Sequence, residues 1–281
     1  MRSFNSLSAV LCGIAMFTAS CADSGNTITG SHDVGTAKPQ PATAHRDAVE
    51  GRDDVKIVSA SGDINAAREQ FRGLLGMLSP NAPGEQLGER REINWDAVPA
   101  GVTNVDNFPA NFFNVNSPRG VLFTTDGTGF RVSDNGYVDV NPAYAGEFVA
   151  FSPPKLFVAR GSTVTDVQFV VAGSNTQALV TGFGSVFEDV GRANSTTIEY
   201  FDIDGNRILK IAAPRATDAN GISFVGAVFN SRVVARVRIT SGDTPIGSDI
   251  EDVVKGAGQK RDIVAMDDFI YGEPRAPKGA N

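Results

Sequence analysis

From Glu92 onward the chain alternates apolar and polar positions in the period-two pattern of strands with one wet face and one packed face. Ile93, Trp95 and Ala97 alternate with Glu92, Asn94 and Asp96. Val233, Ala235, Val237 and Ile239 alternate with Arg232, Val234, Arg236 and Arg238. Shorter β-type runs fall at 121–124, 129–133, 137–140, 148–151, 156–159, 164–172, 179–190, 196–202, 207–212, 221–229 and 262–272. Turn sequences divide them, among them Asp126-Gly127, Asn135-Gly136, Ser152-Pro153-Pro154, Gly173-Ser174-Asn175, Asp204-Gly205-Asn206 and Ser241-Gly242-Asp243. Asn-Gly between two such runs predicts a hairpin. About a dozen short strands at this spacing, with no helical period between them, predict a mainly β fold: an antiparallel β-sandwich, jelly-roll-like.

One helical pattern precedes the strands, at 64–78. Ile64, Ala67, Phe71, Leu74, Leu75 and Leu78 share a face, and Arg68, Glu69 and Arg72 lie on the others. Ser61 or Asp63 is placed to cap its start, and Ser79-Pro80 to close it. The face predicts a short N-terminal helix docked through Phe71 and Leu75. A partner-binding helix is the alternative, because the Gly/Pro-rich link 79–88 separates it from the body. Residues 22–63 contain no Leu, Met, Phe, Tyr or Trp. That segment is expected to be a disordered tether, since it buries too little apolar surface to offset its ordering entropy. The expected organisation is then helix and linker over 64–89, sandwich over 90–273 and a flexible tail over 274–281.

Composition narrows the chemistry. The 281 residues are 41% hydrophobic and 20% charged, an ordinary globular balance. The net charge of −7 argues against affinity for nucleic acid or an anionic lipid surface. Cys12, Cys21, His32 and His45 are the only cysteines and histidines. Nothing beyond His45 can therefore supply a thiol or imidazole nucleophile, an imidazole base or a His/Cys metal site. Carboxylate catalysis is the common enzyme mechanism left open.

The N-terminus carries Arg2, then an apolar run over 7–17 too short to span a bilayer, then Thr18, Ala19, Ser20 and Cys21. This resembles a bacterial lipobox, which implies lipidation of Cys21, although Thr18 stands where that pattern usually has Leu. A plain secretory signal cleaved near Ala22 is the alternative. Residues 1–21 are thus the expected export signal. The body is expected at the bacterial cell envelope or secreted, touching a membrane only through an N-terminal lipid.

Ala265-Met266-Asp267-Asp268-Phe269-Ile270-Tyr271-Gly272 is a strand pattern interrupted by two adjacent acids. Strand neighbours face opposite ways, so one of the two acids is expected to face inward. A buried carboxylate is costly unless paired or metal-bound. Together with Arg90-Arg91-Glu92-Ile93-Asn94-Trp95-Asp96, Phe183-Gly184-Ser185-Val186-Phe187 and Thr197-Ile198-Glu199-Tyr200-Phe201-Asp202, this stretch resembles an uncharacterised family of exported bacterial proteins. The likeness runs from Arg90 to Glu273. The family's last strand resembles that of carbohydrate-binding-type jelly rolls, where a late acid often ligates structural Ca²⁺. The resemblance implies a calcium site at Asp267 or Asp268 with Asp96, completed by main-chain carbonyls. A surface acid pair, or an acid bonded to an arginine such as Arg91, is the alternative.

A sugar-binding face needs exposed rings. Trp95 groups with Ile93 and is expected in the core. Phe108, Phe112, Phe113, Tyr137 and Tyr144 lie in or beside Gly/Asn/Pro-rich segments and are the candidate ligand-binding rings; burial under a loop is the alternative. Arg232, Arg236 and Arg238 could face an anionic glycan or pair with acids on a neighbouring strand. Glu188 with Asp189, Glu199 or Glu147 could form a glycosidase-type acid/base pair. Asp202-Ile203-Asp204-Gly205-Asn206 fits a hairpin turn better than a calcium loop. The expected function is a non-catalytic surface binding module, with a glycan or envelope component as partner. The alternatives are a carboxylate-dependent polysaccharide hydrolase or lyase, and a structural or adhesion protein of the envelope.

Overall fold

The computed structural model describes residues 55–216, 221–250, 261–277 and 279. The export segment, Cys21 and both histidines lie outside them. The strands are β1 (Val55–Ser61), β2 (Arg90–Ile93), β3 (Val121–Thr124), β4 (Gly129–Ser133), β5 (Leu156–Arg160), β6 (Val164–Phe169), β7 (Gly182–Glu188), β8 (Thr197–Phe201), β9 (Arg207–Ala212), β10 (Ser223–Phe229), β11 (Arg236–Thr240) and β12 (Ala265–Gly272). They form two antiparallel sheets. The first runs β1-β10-β7-β12-β5-β4, with β2 also paired to β12; the second runs β3-β6-β11-β8-β9. The mainly β, sandwich-like fold read from alternation is the fold observed.

The two sheets meet across an aromatic core. Trp95 is its centre, stacked on Phe157 at 4.0 Å and edge-on to Phe113 and Phe269. Alternation along β7 and β10 sends Phe183, Phe187, Val225 and Ala227 to this core, and an irregularity in β12 brings both Met266 and Phe269 to it. The opposite faces of those strands are covered as well, which is why they read as near-continuous apolar runs.

One cover is α1 (Asn65–Leu75). Its seat is a glycine pair, Gly184 on β7 opposite Gly226 on β10. A Cβ on Gly226 would stand 2.7 Å from the Phe71 ring, and one on Gly184 2.9 Å from it. The bare backbone thus makes a socket for Phe71, closed by Phe224 at 5.3 Å. Arg68–Asp268 and Arg72–Glu92 ion pairs fix the helix from its sides. The docked helix is as expected, but it stops at Gly76 (φ 98°) rather than at Ser79-Pro80, leaving Leu78 exposed. The other cover is the loop over 137–148, which packs Tyr137, Tyr144 and Phe148 on Leu156, Val158 and Ala265.

Three expectations change. The expected tether over 22–63 does not hold for 55–61: β1 pairs with β10 along its whole length, and the β-branched Val55, Ile57 and Val58 suffice to close a sheet edge without an aromatic side chain. No hairpin forms at Asn135-Gly136. Tyr137 has φ 64°, residues 137–140 form turns, and β4 pairs with β5 instead. Trp95 is buried as expected but lies beyond the end of β2, with φ 66°. That left-handed backbone is rare for a bulky residue; the surrounding rings hold it.

Candidate functional site

The adjacent acids sit in a β-bulge. β12 pairs with β7 at Met266–Phe187 and again at Phe269–Ser185, so Asp267 and Asp268 together span one residue of the partner strand. At the same place β12 changes its other neighbour from β5 to β2. A bulge breaks the alternation of side chains. Both carboxyls therefore reach the same group: Ser152 Oγ lies 2.8 Å from Oδ1 of each. The expectation that only one faces inward is corrected for this reason; both are buried.

The surroundings are specific. Ser152 N–H donates to Asp267 Oδ2 at 2.9 Å, and Phe151 N–H donates to Glu188 Oε1 at 3.0 Å. Arg68 donates to Asp268 Oδ2 at 2.8 Å, with its guanidinium 4.6 Å above the Phe151 ring. Lys155 Nζ donates to the main-chain carbonyls of Asp96 and Val98 at 2.9 and 2.5 Å. A serine hydroxyl carries one proton. Ser152 can donate to one carboxylate only and must accept from the other, so one of the two acids is protonated. Arg68 places its charge on Asp268; the proton belongs on Asp267. Burial, then the Asp268 charge, pushes the Asp267 carboxyl up to about 8. Burial, then Asp267, pushes Glu188 up to about 9. Glu188 Oε2 is buried with no hydrogen-bond partner among the described residues.

Asp96 lies within electrostatic reach of Asp267 and Asp268, and burial raises its carboxyl as well. Among the described residues, however, no three His, Cys, Asp or Glu side chains converge closely enough to hold a metal ion. Calcium takes six to eight oxygens, whereas the oxygens of Asp267 and Asp268 are held by Ser152 and Arg68. The donor set as placed fits proton sharing better than a calcium cage.

Glu188 joins the buried acids of β12 rather than pairing with Glu199. Glu188 is fully buried on β7. Glu199 lies on the opposite sheet, paired with Arg207 and Lys210. The buried pair of Arg91 is Glu273, joined by bonds of 2.7 and 2.8 Å, neither residue exposed. Arg236 and Arg238 both pair with Asp166 on β6. Arg232 lines a polar cleft of about 270 Å³ with Lys56 and Glu89. Asp202 Oδ1 accepts from the N–H groups of Asp204 and Asn206, the expected turn between β8 and β9.

A cleft of about 330 Å³ with a mixed polar and apolar lining opens where β2 ends, bordered by α2 (Phe112–Val115) and the segment that follows it. Trp95, Val98, Pro99, Phe112 and Phe113 form its apolar wall; Asn94, Asn116, Ser117 and Arg119 bring polar groups. Of the five rings expected to bind ligand, Phe112 and Phe113 border this cleft, with 8% and 3% of their surface exposed. Phe108, Tyr137 and Tyr144 do not. Phe108 is in the aromatic core, and the Tyr144 hydroxyl is used internally, 2.6 Å from the Ile250 carbonyl. All five are buried because the segments that carry them fold inward as lids over the two sheets. No ring among them stands free as a stacking platform.

Arg119 was not singled out by sequence. Its Nε donates to the Glu92 carbonyl at 2.9 Å, and Nη1 donates to Ser117 Oγ. Its guanidinium lies 5.2 Å from the Phe113 ring centre. No Asp or Glu oxygen lies within 4.0 Å of it among the described residues. Burial, together with the Arg91 charge, lowers its pKa. Nothing in Ser117-Pro118-Arg119-Gly120 marks it, since its isolation depends on which acids the fold brings near.

No helix among the described residues is long and apolar enough to cross a membrane. No family model matches this chain, and no curated protein matches it. Among solved structures, the K2 cleaved adhesin domain of Lys-gingipain is similar over 65% of this chain and 97% of its own, at 9% identity and a TM-score of 0.33. The enzymatically active domain of bacteriophage CBA120 tailspike protein 4 is similar over 61% of this chain at 13% identity and a TM-score of 0.26; this chain spans 21% of its length.

Proposed function

We propose that this chain is a non-catalytic binding module displayed at the bacterial cell surface, with its ligand seated in the cleft between Trp95 and Arg119. One observation carries this: the cleft joins an apolar wall to a few convergent polar groups, the usual make-up of a ligand pocket, while the acids with raised pKa values are closed off beneath α1 and the 151–155 segment. Display at the surface rests on the N-terminal sequence pattern. The expected ligand is a glycan, since the exposed amides of Asn94 and Asn116 and the Arg119 guanidinium suit its hydroxyls, beside the small exposed apolar surface of Ala97 and Pro99.

Calorimetric titration of the full chain with a panel of neutral and acidic oligosaccharides tests this. Saturable binding that Asn116→Trp abolishes supports it, because Asn116 is exposed and a larger side chain there blocks the mouth. Binding unaffected by Asn116→Trp contradicts the location. Reducing-sugar release from the same panel contradicts the non-catalytic role.

A further inference from the structure

We infer that the cleft selects an acidic sugar, with Arg119 as the group that takes its carboxylate. This deepens the binding function proposed above and rests on it. The observations concern how this arginine is held. Two of its donors are tied down, Nε to the Glu92 carbonyl and Nη1 to Ser117 Oγ, and its face is laid against Phe113. The guanidinium is thereby fixed in orientation before any ligand arrives. Its remaining donors belong to a residue that lines the cleft.

The contrast with its neighbours is informative. Arg68, Arg72, Arg90, Arg91, Arg131, Arg160, Arg236 and Arg238 each have a carboxylate within 4.0 Å. Arg119, Arg232 and Arg275 are half-buried and have none among the described residues. Arg232, however, has Glu85, Glu89 and Glu273 within electrostatic reach, and Arg275 donates to the Gln86 and Gly88 carbonyls, whereas Arg119 faces the charge of Arg91 and the Tyr271 hydroxyl. A partly desolvated positive charge without a counter-charge is unfavourable unless an anion reaches it. The planar guanidinium edge matches a carboxylate through paired hydrogen bonds. Of the apolar lining, Ala97 and Pro99 are exposed, with Trp95, Val98, Phe112 and Phe113 buried behind them, so an anion carried on a body with a small apolar face suits the site. A uronic acid residue has both parts: a carboxylate at one corner of the ring and C–H groups across one face. Free phosphate has no such face. The polar cleft lined by Lys56 and Arg232 contains its own carboxylate, Glu89, and is not a rival of the same kind.

The test is calorimetric titration of the full chain with a galacturonic acid trisaccharide, its neutral galactose counterpart and inorganic phosphate. The acidic trimer is expected to bind at least about tenfold more tightly than the neutral one. Arg119→Gln should erase that preference, while Arg119→Lys, which keeps the charge and the packing stem, should retain part of it. Thermal melts of both variants control for folding. Equal binding of the two trimers, or an acidic preference that survives Arg119→Gln, overturns the inference and leaves the cleft as a neutral-ligand site. Phosphate displacing the trimer at equal concentration overturns the sugar assignment. Absence of binding by either trimer overturns both the inference and the binding function beneath it.

Discussion

The indole N–H of Trp95 donates to the main-chain carbonyl of Asp267 at 2.7 Å. This one bond joins the two features that set the protein apart from a plain sandwich. Trp95 forms part of the cleft wall, and Asp267 is the first residue of the bulge. A bulge leaves ladder groups without strand partners, and the indole satisfies one of them inside the core. Trp95→Phe keeps the ring stacking and removes the donor, leaving a buried carbonyl unpaired. The expected loss is about 1–3 kcal/mol, measured by denaturant unfolding followed by circular dichroism.

Proton sharing around Ser152 predicts a pH dependence. Glu188 is raised to about 9 from an ordinary value of 4.5. The folded state therefore holds its proton where the unfolded state has lost it. The associated stability is full below the unfolded value and is lost as pH rises toward the folded one. Stability should fall between about pH 5 and 9, at up to ~1.4 kcal/mol per pH unit for each such group. Glu188→Gln, a mimic of the neutral acid, should flatten that slope and melt above wild type at pH 9. Melting curves from pH 5 to 9 decide this. If the cluster instead holds calcium, a chelator will lower the melting temperature; proton sharing predicts no change.

Breaking the Arg91–Glu273 pair should be costly. Both residues are fully buried, and Arg91 also donates to the Pro118 carbonyl at 2.8 Å. Arg91→Ala strands a buried carboxylate, with an expected loss of about 3–5 kcal/mol. Arg91→Ala with Glu273→Gln should recover part of it. Chemical denaturation of the single and double variants measures the difference.

Much of this fold was legible in residue alternation. The period-two runs located most of the strands, and the 64–78 pattern located the helix and its buried Phe71. What escaped was non-local. β1 has no Leu, Met or aromatic residue, and its pairing with β10 is what makes it a strand. Phe108, Tyr137 and Tyr144 sit among Gly, Asn and Pro, so they read as exposed loop residues until the lids they belong to are seen folded over the sheets. The adjacency Asp267-Asp268 marked the right place in the sequence. Its chemistry depended on a register shift and on Ser152 and Arg68, which are distant along the chain. Arg119 is defined by the absence of a nearby acid, a property that no local pattern encodes.

The glycine socket offers a mechanical test. Gly226→Ala puts a methyl where the Phe71 ring lies. Helix α1 must shift, which weakens the Arg68–Asp268 pair and opens the acid cluster to water. Stability should fall by about 1–3 kcal/mol, and the amides of 65–75 should exchange hydrogen faster than those of the central strands. Hydrogen exchange followed by mass spectrometry reports both. Uniform acceleration across the whole chain would mean that the helix is not separately seated.

The central claim is that ligand enters beside Trp95 and Arg119. The most direct measurement is the change in backbone amide chemical shifts when the labelled protein is titrated with the acidic trisaccharide. Saturable shifts confined to residues 94–99 and 112–119 are predicted. Shifts centred on Lys56 and Arg232, or scattered changes that never saturate, would contradict it.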